Sequence, residues 1–241
     1  MGGLGSEWDH FDNHMIAAVI FDLDETLFDR TNSLVDFLKD QHSRFRDRLG
    51  VAEFDAWRDK FLNLDKRGHV RKSLVYPELL ASFGGDATAA DELLADYRNR
   101  SRQFARPVPG MSHTLSMIRL RGLTIGIITN GETEVQSQTI EALGLREWVD
   151  VVLISEAEGI RKPEEAIFEL AARRLNLRTR ECLFVGDNPV ADVLGAHAAG
   201  MKTAWFGGRM TWPSDLAPPP GPTISALPEV IGLIDQSQHL G

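Results

Sequence analysis

Met15-Ile16-Ala17-Ala18-Val19-Ile20-Phe21-Asp22-Leu23-Asp24-Glu25-Thr26-Leu27-Phe28-Asp29 is an apolar run, rich in β-branched residues, that ends in two carboxylates one residue apart. A short segment apolar on both sides is the signature of a strand buried on both faces, as in a parallel sheet sandwiched by helices. Asp22 and Asp24 then fall at the carboxyl end of that strand, where open α/β sheets place their ligands. Two like charges resist burial unless a cation or a shared proton compensates, so the pair points to a Mg²⁺ site with acid/base chemistry. The plain alternative is a strand followed by a turn that uses Asp.

Downstream, the chain alternates in the same way. Leu123–Ile128 reads as a second buried strand ending in Thr129-Asn130-Gly131, and Val149–Ile154 as a third, followed by Arg161-Lys162-Pro163. Cys182–Val185 reads as a fourth, ending in Gly186-Asp187-Asn188-Pro189, and Lys202–Phe206 as a fifth. Helices are expected at 111–120, 133–143, 163–175, 189–199 and 226–235, with Gly122 and Gly200 as stops and Pro163 in a first helical turn. Strands alternating with helices of about ten residues imply an α/β fold with a doubly wound parallel sheet. Residues 207–222, rich in Gly and Pro, read as an extended surface loop.

Residues 31–106 interrupt this alternation with helical periodicity only. Thr31 or Asn32 is expected to cap a first helix carrying Leu34, Val35, Phe37, Leu38 and Phe45 inward. Further stripes are Phe54, Trp57, Phe61, Leu62 and Leu64, then Leu74, Leu79 and Leu80, then Leu93, Leu94 and Tyr97, with Gly50, Gly68, Pro77 and Gly84-Gly85 as punctuation. The expected organisation is therefore a core of residues 15–30 and 107–238 with an inserted helical bundle, 31–106, as a cap or lid. Residues 1–14 lack the basic start and apolar centre of a signal peptide and read as a natural extension or an expression remnant.

The net charge of −9 over 241 residues argues against a nucleic-acid partner and against anionic membranes. No apolar stretch approaches the roughly 18 residues of a bilayer span. The single cysteine, Cys182, excludes an internal disulfide framework and suits a reducing cytoplasm; in its apolar setting it reads as packing rather than a reactive thiol.

Taken singly, Thr129 suits a helix cap, Lys162 a solvated loop charge, and Asp187 a turn. Taken together at strand ends, Asp22-Leu23-Asp24-Glu25-Thr26, Thr129-Asn130, Lys162-Pro163 and Gly186-Asp187-Asn188-Pro189-Val190-Ala191-Asp192 resemble the four motifs of the haloacid dehalogenase (HAD) superfamily, over roughly residues 16–235. The insert resembles the small helical cap of its phosphoglycolate phosphatase and β-phosphoglucomutase subgroup. The resemblance implies a phosphatase in which Asp22 is the nucleophile, forming an aspartyl-phosphate, and Asp24 the general acid and base. It implies Mg²⁺ held by Asp22, the backbone carbonyl of Asp24 and Asp187, with Asp192 supporting from behind. Thr129, Lys162 and backbone N–H groups around Leu23, Asn130 and Gly131 would hold the phosphoryl oxygens.

Dehalogenases of this fold lack the second Asp of the first motif, so Asp24 argues against dehalogenation. The subgroup's phosphonate hydrolases use a cap lysine; Lys39, Lys60, Lys66 and Lys72 read instead as surface charge. Glu25 and Phe28-Asp29-Arg30 are expected near the pocket, and Arg67–Lys72 as a solvated basic helix end. The expected substrate is a small phosphorylated metabolite (a nucleoside monophosphate, a sugar phosphate or phosphoglycolate), handled by a monomer or homodimer. A phosphomutase or a non-catalytic phospholigand-binding protein of the same fold is the alternative.

Overall fold

A computed structural model describes residues 15–68, 70–208 and 210–239; the expectation for residues 1–14, and His69 of the basic stretch, fall outside them. The chain forms two compact units, one of residues 30–106 and one built from the segments on either side.

In the second of these, β1 (Ala18–Phe21) lies at the centre of the sheet and is buried throughout. After the helical insertion come α5 (Met111–Leu120), β2 (Thr124–Thr129), α6 (Thr133–Ala142), β3 (Val151–Ile154), the single turn α7 (Ser155–Glu158) and α8 (Glu165–Arg174). Then follow β4 (Cys182–Gly186), a π-helical segment Pro189–Leu194 continuing into α9 (Gly195–Ala198), β5 (Lys202–Phe206), β6 (Thr223–Ile224) and α10 (Glu229–His239). The strands run in the order β3-β2-β1-β4-β5-β6, all parallel. The doubly wound parallel sheet is therefore as the alternation implies, with its order reversing at β1 (the switch point at which such sheets bind ligands). On one face Ala18, Ile20, Ile128, Leu153, Phe184 and Cys182 pack against Ile167, Phe168 and Ala171 of α8. Burial pushes the Cys182 thiol up to about 12, so it is an inert part of this core.

The details depart from expectation in several places. The sheet has a sixth strand, because Thr223 and Ile224 add to β5 opposite Trp205 and Phe206. Pro163 does not sit in the first turn of a helix: its peptide bond to Lys162 is cis, and α8 begins two residues later. The closing helix runs Glu229–His239, later than expected, because Glu229 Oε1 accepts from the N–H groups of Ser225 and Ala226 and from Ser225 Oγ, holding that segment as the lead-in.

In the helical unit, α1 (Arg30–Arg44), α2 (Phe54–Asp65), α3 (Lys72–Phe83) and α4 (Ala90–Arg100) enclose Phe37, Leu38, Trp57, Phe61, Tyr76, Leu79, Leu80 and Leu93. Thr31 and Asn32 are exposed inside α1 rather than capping it. Leu74 is exposed as well; Val75, Tyr76, Leu79 and Leu80 form the stripe that α3 buries, and Leu74 lies off its edge. Pro77 is inside α3, not between helices; it deprives only the exposed turn at Ser73 of a hydrogen bond. Gln41, fully buried on α1, is satisfied: it donates to Leu93 O and Asp96, and accepts from Tyr76 Oη at 2.9 Å.

Lys72 is not free surface charge. With Arg30, whose Nη2 is 2.8 Å from Asp65, it forms an ion pair to the fully buried Asp65 carboxylate. Burial alone would raise the Asp65 carboxyl, but the two cations outweigh it and hold it below the usual carboxylate value. A carboxylate depressed in the folded state contributes stability that is present above its unfolded pKa, about 4, and lost as pH falls through the folded value. Urea unfolding of this protein should therefore show the helical unit weakening below about pH 4. Asp65→Asn should cost about 3 kcal/mol at neutral pH and flatten that acid dependence.

Candidate active site

The sheet register brings the motif residues together. Phe21 pairs with Ile127 on one side and Val185 on the other, so Asp22, Thr129 and Asp187 leave three adjacent strands at the same edge. Asp22 N–H still donates to Val185 O at 2.9 Å, which extends the ladder to the carboxylate itself. Beyond it the chain turns tightly: Leu23 O accepts from the N–H groups of Thr26, Leu27 and Phe28, and Glu25, with a φ of 64°, donates to Phe28 O. This turn presents the half-buried Asp24 while burying Leu23 completely.

Lys162 arrives from the turn after α7 and is 3% exposed. Its Nζ lies 2.6 Å from Asp22 Oδ1 and 2.6 Å from Asp192 Oδ1. Burial by itself would lower the ammonium pKa; the carboxylates of Asp192 and Asp22 prevail and hold it above the ordinary lysine value, so Lys162 stays charged. Asn130 fixes the turn: its Nδ2 donates to Lys162 O and its Oδ1 accepts from Lys162 N–H, both at 2.9 Å. The Asn130 side chain is thus engaged with Lys162, and any substrate contact from Asn130 is left to its backbone. Gly131 N–H donates to Ser155 Oγ at 3.0 Å, so that group is already satisfied and is a poor fit to the expected phosphoryl contact.

Asp192 stands on the π-helical segment after β4. Asn188 starts that segment by accepting from Val190 and Ala191 N–H through its side chain, with Pro189 in the first position. Asp192 Oδ2 in turn accepts from Asn188 N–H at 2.9 Å. Gly186 makes this close approach feasible, since a Cβ there would lie 2.5 Å from the Asp192 carboxyl. Behind the loop, Trp205 Nε1 donates to Asp187 O at 2.9 Å.

Asp22, Asp187 and Asp192 are all buried and each offers an oxygen within 4.8 Å of the others. Lys162 pairs with two of the three, Asp22 and Asp192. Burial lifts the Asp22 carboxyl well above its ordinary value; Lys162 opposes this, and Asp192 and Asp187 add to it. A buried all-oxygen donor set fits a hard divalent cation. One residue escaped the sequence reading: Gln136, buried on α6, whose Nε2 lies 2.6 Å from Thr129 Oγ1 and 3.2 Å from Asp24 Oδ2. Its signal was a polar residue in line with Thr139 and Ile140 on the buried face of a helix.

The haloacid dehalogenase-like hydrolase profile matches residues 16–200. The glyceraldehyde 3-phosphate phosphatase of Pyrococcus furiosus is 32% identical over 195 residues, which cover 79% of this chain and 80% of that one. The ribulose-1,5-bisphosphate 5-phosphatase of Halopiger xanaduensis is 32% identical over 203 residues, 80% of this chain and 85% of that one. Among solved structures, the HAD-hydrolase YfnB of Bacillus subtilis superposes with a TM-score of 0.73 at 22% identity, covering 92% of this chain and 99% of that one, a likeness of fold.

Gly186→Ala should push the Asp192 carboxylate off Lys162. Calorimetric titration with Mg²⁺ is expected to show affinity weakened by about 10- to 100-fold, the range for loss of a supporting residue.

Proposed function

This chain belongs to the haloacid dehalogenase-like hydrolases and is a phosphatase, and from that premise we propose that it hydrolyses small phosphorylated metabolites through an aspartyl-phosphate on Asp22. The observation that carries the proposal is the buried grouping of Asp22, Asp187 and Asp192, with Lys162 bridging Asp22 and Asp192 and Asp24 two residues after Asp22.

In this reading an Asp22 carboxylate oxygen attacks phosphorus. Asp24 gives its proton to the departing ester oxygen as the P–O bond breaks, which frees the alcohol and leaves the phosphoryl group on Asp22. Asp24, now a carboxylate, takes a proton from the water that attacks the aspartyl-phosphate; phosphate departs and Asp22 is restored. The Thr129 hydroxyl and the Lys162 ammonium bind the phosphoryl oxygens, and Lys162 also holds the trajectory of Asp22. Such positioning and charge stabilisation account for most catalysis of phosphoryl transfer. Asp22, Asp187 and the backbone carbonyl of Asp24 would hold Mg²⁺, with Asp192 behind them; when bound it supplies positive charge that offsets the phosphoryl oxygens and the carboxylates.

A leaving alkoxide needs a proton and a leaving halide does not, so a positioned Asp24 supports ester hydrolysis over dehalogenation. Relatives that act on glyceraldehyde 3-phosphate and ribulose 1,5-bisphosphate favour short sugar phosphates within the wider class of sugar phosphates, nucleoside monophosphates and phosphoglycolate. We place the protein in the cytoplasm, supported by its lone buried cysteine; among the described residues no helix is long and apolar enough to cross a membrane.

Phosphate release should be measured across such a panel, with p-nitrophenyl phosphate included. Release is expected to require Mg²⁺, to stop on chelation and to resume on adding Mg²⁺ back. Asp22→Asn should lower kcat by at least about 10⁴-fold, since both steps run through that oxygen. Activity that survives Asp22→Asn would refute the nucleophile assignment.

A further inference from the structure

Gln136 is 3% exposed and its side-chain nitrogen faces three oxygens: Thr129 Oγ1 at 2.6 Å, Asp24 Oδ2 at 3.2 Å and Asn130 O at 3.3 Å. A carbonyl can only accept, as can an ionised carboxylate, so the nitrogen and not the oxygen of the amide belongs on this side. One amide hydrogen serves Thr129; the other lies between Asp24 and the Asn130 carbonyl. A hydroxyl that receives a hydrogen bond keeps its own hydrogen to donate elsewhere, so Gln136 turns Thr129 into a donor toward the site. The turn after β2 is shaped around this side chain: a Cβ on Gly131 would lie 2.9 Å from Gln136 Cγ and 3.1 Å from its Cδ. The amide therefore ties the Thr129 strand end to Asp24, which lies 112 residues before Gln136 in sequence.

We propose that Gln136 is the positioning residue of the acid step: it holds the Asp24 carboxyl against the leaving oxygen and directs the Thr129 O–H at the phosphoryl group. This rests on the phosphatase reading, with Asp24 as the acid. In that step the Asp24 O–H proton passes to the ester oxygen, which also takes the electron pair of the breaking P–O bond. The products are the alcohol, the Asp24 carboxylate and phosphorylated Asp22.

Gln136→Leu keeps the shape and removes both donors, and Gln136→Glu puts an acceptor where a donor is required. Both are compared with wild type on glycerol phosphate, whose alkoxide needs the proton, and on p-nitrophenyl phosphate, whose leaving oxygen needs it far less. The expected result is a kcat loss of about 10²-fold on glycerol phosphate, a several-fold smaller loss on p-nitrophenyl phosphate, and no rescue by Glu. Equal losses on the two esters, or wild-type rates in Gln136→Glu, would overturn the proposal, since a merely structural residue does not discriminate leaving groups.

A second measurement needs no turnover. The ¹⁵N side-chain amide signals of Gln136, assigned by their disappearance in Gln136→Leu, should shift in both Asp24→Asn and Thr129→Val; no shift in either would refute the contacts. If wild type cleaves neither ester, the phosphatase reading fails on the kinetics, while these spectra still decide the contacts.

Discussion

Lys162 carries one buried positive charge between two carboxylates, Asp22 and Asp192, at 2.6 Å from each. At such separations in a protein interior, each attraction is large and so is the cost of removing either partner, because an uncompensated charge is left behind. Much of the surrounding architecture serves this contact. Asn130 clamps the Lys162 backbone at two points, Gly186 leaves room for the Asp192 carboxyl, and Asn188 shapes the turn that delivers it. The sheet order, with β1 between β2 and β4, brings these loops to one edge.

The two units use buried charge in opposite proportions. In the helical unit one carboxylate, Asp65, sits between two cations, and the surplus of positive charge keeps it ionised. At the sheet edge one ammonium, Lys162, is shared by two carboxylates, Asp22 and Asp192, with the Asp187 carboxylate close by, and burial lifts Asp22 instead. The first arrangement is complete by itself and stabilises a fold. The second gathers three buried carboxylates within reach of one another, an all-oxygen donor set that suits a divalent cation.

Most of the fold was legible because the central strands are buried on both faces, and continuous apolar runs such as Val19–Phe21 and Cys182–Val185 have no other comfortable place. The site followed from it, since the register of a parallel sheet turns strand ends into neighbours. What stayed hidden depended on contacts rather than pattern. A two-residue strand, Thr223–Ile224, is too short to show alternation and forms only because β5 offers a free edge. Leu74 counts as apolar in any stripe, yet Val75 and Tyr76 take the buried positions beside it. Lys72 looked like surface charge until Asp65, seven residues earlier, turned up fully buried. Gln136 lies six residues beyond the Thr129-Asn130 motif but belongs to none, and its meaning comes from the three oxygens it faces.

The most direct measurement is to quench the enzyme with acid during turnover of p-nitrophenyl phosphate, reduce the acyl phosphate with borohydride, and map the peptides by mass spectrometry. Conversion of Asp22 to homoserine, absent without substrate and absent in Asp22→Asn, is the predicted result. Reduction at any other carboxylate, or none while phosphate is being released, would contradict the assignment of Asp22 as the nucleophile.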